Sequence, residues 1–431
     1  MGIRDSPTVT ARRVTLDATV HRESRVTSPT RSRVTWFDRW LAKQVQGTIE
    51  AARVRLELWD GSSPYAAPRS TIGDLIVRDR RTLLGIAINR DLSFGEGYMA
   101  GRLHLRGQVR QMFAALSSAA LVDPTWRERV SAALSSANDL RSARRNVHHH
   151  YDLGNDFYAL WLDSQMIYTC AYFADPAMSL EAAQRAKLDL VCRKLRLRAG
   201  ETVVETGCGW GALALHMARY YGVRVRAFNV SKEQLEYARR RAVRENVASR
   251  VEFIDDDYRN VTGVYDVFVS IGMLEHIGLR HLKSLGTVLR RSLKRDGGRG
   301  LLHFIGRDVR RPLNPWIRRR IFPGGYPPTL AEVTTRVLEP AAMSVLDVEN
   351  LRLHYARTLQ FWGDRFADAK DDVHSRFGPE FTRAWELYLA GSEAAFTTGW
   401  MQLFQVVFAP RESPPPSWTR SDPYELPGAL V

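Results

Sequence analysis

Cysteine is scarce: Cys170, Cys192 and Cys208 are the only three in 431 residues. Their number and spacing fit neither a disulfide framework nor a metal-ligand set, so a reducing, cytoplasmic setting without a bound metal is expected. No run approaches the roughly 20 apolar residues that a membrane-spanning helix needs. The Arg-studded start MGIRDSPTVTARRV lacks the apolar centre of a secretory signal. Any membrane contact is therefore expected at a surface. No internal repeat is visible, and no Gly-Lys-Ser/Thr follows the glycine-rich turn discussed below, which argues against a phosphate loop.

What is present is globular. Hydrophobic residues make up 45% and charged residues 25% of the chain, enough to build a core. The length fits two or three folded units. The chain carries 62 Lys+Arg against 47 Asp+Glu, a formal charge of +15, which implies an anionic partner. Ten of those fifteen excess charges fall within residues 1–150, so the basic surface is regional. Nucleic acid and an acidic membrane surface are the two candidates.

The sequence divides into five stretches. Residues 1–33 read as a basic flexible tail rich in Arg, Ser, Thr and Pro, or as a terminus without a role. Residues 34–130 read as a small α/β or α+β unit, with a helix from Trp36, a strand at Val54–Trp59, a second at Asp74–Val77 and helical text to Ile88. Residues 131–146 read as a linker or exposed helix. From 147 to 412 strands and helices alternate, which predicts a doubly wound, Rossmann-like α/β domain with a parallel sheet. Its strands are expected at Thr202–Glu205, Val223–Phe228, Val251–Ile254, Tyr265–Ser270, Gly300–Phe304, Val345–Leu351 and Gln402–Phe408, the last two forming an antiparallel end. Helices are expected at Ala212–Tyr221, Lys232–Asn246, Arg280–Lys294, Thr329–Glu339, Tyr355–Ala369 and Phe381–Phe396. Residues 413–431 form a tail.

Chemistry concentrates at the first strand's end. Val203-Val-Glu-Thr-Gly-Cys-Gly-Trp-Gly-Ala212 puts Gly207, Gly209 and Gly211 in a strand-to-helix turn, where a ligand can approach the backbone closely. The spacing is G-x-G-x-G, and Glu205 stands just before it. A carboxylate there would repel a pyrophosphate but attract the cationic amino-acid part of S-adenosylmethionine. The second strand ends without the acid that usually holds ribose hydroxyls, and Gln234 could replace it, although an ordinary surface Gln fits the local text as well. Asp257 and Tyr258, in Asp255-Asp-Asp-Tyr-Arg259, could meet an adenine edge and face, or form a solvated loop.

The chain resembles the cyclopropane-fatty-acyl-phospholipid synthase family, with its relatives the mycolic-acid methyltransferases, from about residue 147 to Pro410. The resemblance rests on His150-Tyr-Asp-Leu-Gly-Asn-Asp-Phe-Tyr158, Tyr168-Thr-Cys-Ala-Tyr-Phe173, Glu205-Thr-Gly-Cys-Gly-Trp-Gly211 and Ser270-Ile-Gly-Met-Leu-Glu-His-Ile-Gly278. It continues in Leu301-Leu-His-Phe-Ile-Gly306, the Trp316–Gly325 stretch, His354-Tyr-Ala-Arg-Thr-Leu359 and Gln402-Leu-Phe-Gln-Val-Val-Phe408. Phe94-Gly-Glu-Gly-Tyr-Met-Ala-Gly101 is similar to the amino-terminal domain of the phospholipid enzymes, which implies that residues 34–130 form a lipid-docking domain.

The resemblance implies a class I S-adenosylmethionine methyltransferase fold. It also implies transfer of the donor's one-carbon unit to the cis double bond of an unsaturated phospholipid acyl chain. A carbocation then loses a proton to a bound bicarbonate ion and closes a cyclopropane ring. The matching bicarbonate cradle is Cys170, Glu275, His303, Ile305 and Tyr355, with Cys170 and Ile305 acting through backbone groups. The matching cofactor residues are Tyr168, Thr169, Gly207, Gly209, Gln234, Asp257 and Tyr258, beside Glu205. Tyr172, Phe173, Trp316 and Phe322 are candidates for the acyl channel or for stabilising a cation through their ring faces, with core packing the plain alternative.

Taken singly, His303 reads as a core histidine, Glu275-His276 as a cap or surface pair, and Tyr355 as packing. Glu205, Asn229 and Asn260 depart from the family's usual text, all around the cofactor. Two other outcomes stand beside ring closure: a methylene- or methyl-branched product, and a non-catalytic lipid-binding relative. A nucleic-acid methyltransferase would need an Asn/Asp-Pro-Pro-Tyr/Phe motif or a Cys-nucleophile loop, and neither is found. The expected partner is an anionic membrane surface, reached peripherally from the cytoplasmic side. A homodimer is left open.

Overall fold

A computed structural model of the chain describes residues 33–64, 71–119 and 153–414. The expected tail up to residue 32, the 131–146 linker, the start of the His150 motif and residues 415–431 lie outside the described residues.

Two sheets organise the described chain. The smaller has three strands, β1 (Val54–Glu57), β2 (Gly73–Val77) and β3 (Leu103–Gly107), with β1 parallel and β3 antiparallel to the central β2. Four helices surround it: α1 (Trp36–Ile49), α2 (Arg80–Ile88), α3 (Arg90–Met99) and α4 (Val109–Ala119). Thr35 and Asp38 close a capping box at the start of α1, satisfying amides that the first helical turn leaves free. Asp38 is fully buried beneath Arg80, whose guanidinium holds its carboxyl down at about 2. Leu41, Val45, Leu56, Leu75, Val77, Leu83, Leu103 and Met112 form the core of this unit. Strand β3 was not expected from the sequence. It is an edge strand with only Leu103 buried, and its apolar alternation is just two residues long, Leu103 and Leu105, before Gly107 ends it.

The larger sheet has seven strands in the order β6-β5-β4-β7-β8-β10-β9. They are β4 (Thr202–Thr206), β5 (Arg224–Asn229), β6 (Val251–Asp255), β7 (Val267–Ile271), β8 (Arg299–Gly306), β9 (Met343–Asn350) and β10 (Gln402–Pro410). The first five pair in parallel, as crossover helices require. The predicted antiparallel end is present: β10 inserts between β8 and β9, antiparallel to both.

Side chains alternate across this sheet. Val203, Val267, Val269, Leu301 and Val407 face one apolar cluster. Val204, Phe268, Leu302, Phe304, Val406 and Phe408 face the other. Helices α5 (Asn155–Ala159), α6 (Leu180–Lys194), α7 (Ala212–Tyr220), α8 (Lys232–Arg244), α9 (Leu274–Ile277), α10 (Leu282–Ser292), α11 (Pro315–Arg320) and α12 (Leu330–Val333) accompany it. The helix expected over 329–339 begins as α12 and widens into a π turn at Thr334–Leu338. Helix α6 was not expected, because Gln184, Lys187 and Lys194 lie on its buried side and break the apolar period.

A third cluster joins residues 157–173 to α13 (Arg352–Asp368) and α14 (Lys370–Thr398). It is rich in rings: Phe157, Tyr158, Trp161, Trp362, Trp385 and Tyr388 are all buried in it. Gly378 leaves helical geometry inside α14, with φ +80° ahead of Pro379. The break falls immediately before the residue whose ring removes an amide donor from the helix.

Helix α3, which carries Phe94-Gly-Glu-Gly-Tyr-Met, binds the two units together. Glu96 takes two hydrogen bonds from Arg320 of α11, at 2.9 and 2.6 Å. Arg383 of α14 donates to the Met99 carbonyl at 2.7 Å. Gly95 packs against the Trp316 ring so closely that a β-carbon would stand 2.2 Å from it.

Candidate active site

The strand order of the large sheet reverses at β4, which lies between β5 and β7. In an open α/β sheet this is where a crevice forms beyond the carboxyl ends of the strands. A pocket opens there, and its walls come from the segments that follow β4, β5, β6, β7 and β8, together with residues 166–169, α13 and α14.

The glycine-rich turn forms its floor. Gly207, Gly209 and Gly211 all have positive φ, and a β-carbon on Gly207 would meet Met273 at 2.9 Å. This turn needs glycine for both space and backbone angle. Helix α7 starts immediately afterwards, so its first amides face the crevice. Glu205 is buried and lines the pocket, and its Oε2 has no partner. Burial pushes its carboxyl up to about 8, against the pull of Lys187 and the Ala214 amide. A cationic ligand at this spot would restore the charge that burial suppresses.

On the neighbouring strand, Asn229 donates through Nδ2 to Gln234 Oε1 at 2.8 Å and to the Gly209 carbonyl at 3.3 Å. Gln234 is buried and lines the pocket. With its oxygen engaged, its amide nitrogen is the end left to donate. After β6, Asp257 and Tyr258 are both buried in the wall. Asp257 accepts from the Arg259 amide at 2.9 Å, and Arg259 lies over the Tyr258 ring at 5.2 Å. Asn260 donates to the neighbouring Asp256 at 2.8 Å.

At the other end of the pocket stand Glu275, on the short α9, and the backbone of Ile305. Glu275 Oε1 accepts from the Ile305 amide at 3.4 Å, while its buried Oε2 has no partner. Burial raises this carboxyl to about 7. Tyr355 lines the same region and packs against Phe396 with ring centroids 4.5 Å apart. Tyr168 and Tyr388 meet through their hydroxyls at 2.7 Å, and Phe322 stands edge-on to Tyr388 at 5.5 Å.

The structure thus brings Tyr168, Thr169, Glu205, Gly207, Gly209, Gln234, Asp257, Tyr258, Glu275, Ile305 and Tyr355 to one cavity. Two anticipated residues stand behind the wall. Cys170 is fully buried, its thiol pushed far up by burial and directed at the carbonyls of Ala171 and Leu351. His303 is buried beside the wall residue Ile271, its register partner on β7, with Nε2 unpartnered. Of the four aromatic residues named for the acyl channel, only Phe322 lines the pocket. Trp316 packs on Gly95, and Tyr172 and Phe173 stack on His354.

Sequence reasoning missed Lys187, His276 and Tyr388 as pocket residues, whereas Asn229 lines the pocket as its place around the cofactor implied. Lys187 is buried, donates to Thr169 Oγ1 at 3.0 Å and is pulled down to about 8 by burial. No periodic signal marked it, since a lysine in helical text normally reads as solvated. Burial likewise lowers His276 to about 4. Among the described residues no cluster of His, Cys, Asp and Glu could hold a metal ion. No described helix is long and apolar enough to cross a membrane.

Residues 138–406 match the family model for mycolic acid cyclopropane synthetase. A probable fatty acid methyltransferase of Pseudomonas putida is 36% identical over 86% of this chain and 96% of its own. A tuberculostearic acid methyltransferase of Mycobacterium tuberculosis is 33% identical over 90% of this chain and 99% of its own. The cyclopropane-fatty-acyl-phospholipid synthase of Escherichia coli is 38% identical over 60% of this chain and 66% of its own. Among solved structures, a mycolic acid cyclopropane synthase in complex with SAH and CTAB superposes with a TM-score of 0.58 at 30% identity, covering 62% of this chain and 97% of its own.

Proposed function

The chain belongs to the mycolic acid cyclopropane synthetase family of S-adenosylmethionine-dependent methyltransferases, and we propose that it acts on the cis double bond of an unsaturated phospholipid acyl chain to form a cyclopropane ring. One observation carries this reading. Glu275 Oε2 lacks a partner at the end of a pocket walled by Tyr168, Phe322, Tyr355 and Tyr388, and His303 Nε2 lacks one in the buried layer behind that wall. Orphaned buried polar atoms are costly unless a guest satisfies them, and these two fit a small oxyanion such as bicarbonate.

S-adenosylmethionine supplies an electrophilic methyl group, and bicarbonate supplies a proton acceptor. The protein's own residues do the rest. Glu205 meets the donor's cationic amino-acid end, the glycine turn lets its body approach the backbone, and Gln234 donates to the ribose. Asp257 and Tyr258 hold the adenine. Glu275, poised near 7, can share a proton with the oxyanion and take one up. His303 and Tyr355 donate to the oxyanion, and the Ile305 amide holds Glu275 beside it through Oε1. The ring-lined wall excludes water, which would otherwise capture a cationic acyl chain.

The anionic membrane surface is supported by helix α1. Trp36, Phe37 and Trp40 are 80%, 39% and 51% exposed, Phe37 stacked on Trp40 and edge-on to Trp36, and they are flanked by exposed Arg33, Arg39 and Lys43. Amphipathic rings beside cations suit the interface of an acidic bilayer.

A second reading, a methylene- or methyl-branched product, is favoured by the two fatty acid methyltransferases that match 86% and 90% of the chain. Both readings share the donor site and differ in where the proton leaves. The deciding experiment incubates the purified protein with S-adenosylmethionine, bicarbonate and vesicles of a cis-monounsaturated phosphatidylglycerol. Upfield cyclopropyl proton resonances are expected in the recovered acyl chains. Olefinic methylene or branched methyl signals in their place transfer the assignment to the second reading. Unchanged lipid refutes both.

A further inference from the structure

Strands β8, β10 and β9 lie side by side, and their register places His303 beside Gln405 and Gln405 beside Glu349. A polar row thus crosses a sheet face otherwise made of Leu301, Val407 and similar residues. Lys194, the last residue of α6, reaches over the row. Its ammonium donates to Gln405 Oε1 at 2.7 Å and to Glu349 Oε2. Gln405 Nε2 in turn contacts His303 Nδ1 at 3.0 Å. Lys194, Gln405 and His303 are all buried, so each unmade bond in the row would be expensive.

Donor and acceptor chemistry permits one arrangement. An ammonium group only donates, so the Gln405 amide must turn its oxygen to Lys194. Its NH2 then faces His303, and the Nδ1 there must accept. A neutral imidazole that accepts at Nδ1 carries its proton on Nε2. Burial, with the charges of Lys187 and Lys194 nearby, holds this ring well below its usual value and so uncharged. Nε2 is also the single atom of His303, Gln405, Lys194 and Glu349 that is buried without a partner.

We propose that Lys194 and Gln405 are positioning residues that lock His303 as the Nε2–H tautomer, so that its ring presents a hydrogen-bond donor to the reaction site. Lys194 sets the amide, the amide sets the ring, and Glu349, at the more exposed end of the row, balances the lysine's charge. The catalytic value of this donor rests on the function proposed above, whereas the lock itself rests on the row alone.

The test is nitrogen NMR of the full chain labelled with 15N-histidine, with His303→Asn used to assign the resonance. Wild type should show Nε2 protonated and Nδ1 unprotonated from pH 6 to 8. In Gln405→Glu a carboxylate can still accept from Lys194 but must also accept from the ring, which moves the proton to Nδ1. That variant should lose about 10- to 100-fold in kcat, by analogy with the loss when the outer hydrogen-bond partner of a metal-bound histidine is removed, with the KM for S-adenosylmethionine within about twofold. A Nδ1-protonated ring in wild type, or Nε2–H retained in a folded Gln405→Glu protein, overturns the lock. The wild-type spectrum decides the matter even where the variant does not fold. Locked His303 in a protein that leaves unsaturated lipid unchanged would sink the proposed function and leave this inference standing.

Discussion

Asn229 holds Gln234 by its side-chain oxygen, Nδ2 to Oε1 at 2.8 Å, at the end of a strand where an acidic residue would otherwise hold ribose. The pair replaces a charged acceptor with an oriented neutral donor. Asn229→Ala frees the Gln234 amide to rotate and should weaken S-adenosylmethionine binding about three- to tenfold, the size of one lost neutral hydrogen bond. Titration calorimetry on Asn229→Ala, Gln234→Ala and the double variant would measure this. The double variant should bind no more weakly than Gln234→Ala alone. Additive losses would show that the two side chains act separately.

Glu275→Gln keeps the shape of the side chain and removes its titration. It should lower kcat by about 10²- to 10⁴-fold, the usual contribution of a positioned proton-transfer group, and leave S-adenosylmethionine affinity within about twofold. Wild-type kcat should rise with pH through about 7, following this carboxyl, and the variant should lose that limb. Equal losses in kcat and affinity would remove Glu275 from proton transfer.

The same carboxyl ties stability to pH. Its folded pKa is raised from 4.5 to about 7, so the folded state holds its proton more tightly than the unfolded chain. The stability contributed is fully present below 4.5 and is lost as pH rises through 7. Melting temperatures of wild type and Glu275→Gln should therefore converge toward pH 4.5 and shift in the variant's favour up to pH 8. A difference constant with pH would contradict the raised value.

Gly95→Val puts a side chain into the Trp316 indole and should destabilise the protein by about 1–3 kcal/mol, the usual cost of overpacking. Thermal melts would show it, and Trp316→Leu in the same chain should recover part of the loss because the two positions touch. No recovery would mean that the valine acts through the α3 backbone alone.

Replacing Trp36, Phe37 and Trp40 together by Ser should reduce binding to phosphatidylglycerol vesicles at least tenfold without lowering the melting temperature, since these rings are exposed. Wild-type binding should weaken from 50 to 500 mM salt, as attraction between surface charges does. Binding that ignores both the substitutions and salt would exclude α1 as the docking element.

Much of the large sheet was legible. Strand Thr202–Thr206 is a short run between Gly200 and the glycine-rich turn, Val251–Asp255 alternates Val251 and Phe253 with polar residues after a polar helix, and the glycine turn announced its own ligand. The losses have physical reasons. Strand β3 is a charged edge, and α6 hides its apolar period behind buried Gln184, Lys187 and Lys194. Tyr388 reaches the pocket from α14 through tertiary packing that no local pattern records. The resemblance to the cyclopropane synthase family supplied Glu275, His303 and Tyr355, each of which reads singly as core or surface. It could not show that Tyr172 and Phe173 stack away from the cavity on His354.

Strand β10 fills the gap between β8 and β9 and brings Gln405 to His303. On a ribosome, Rossmann-like crossovers up to residue 306 can pair before residue 402 has been made, but β8 then waits with one edge bare. Nascent chains halted upstream of β10 would expose that edge to neighbours and would carry an imidazole whose proton is free to sit on either nitrogen. Completion of the sheet and arming of the histidine are thus a single event, so premature termination should give sticky, inert fragments rather than partly active ones.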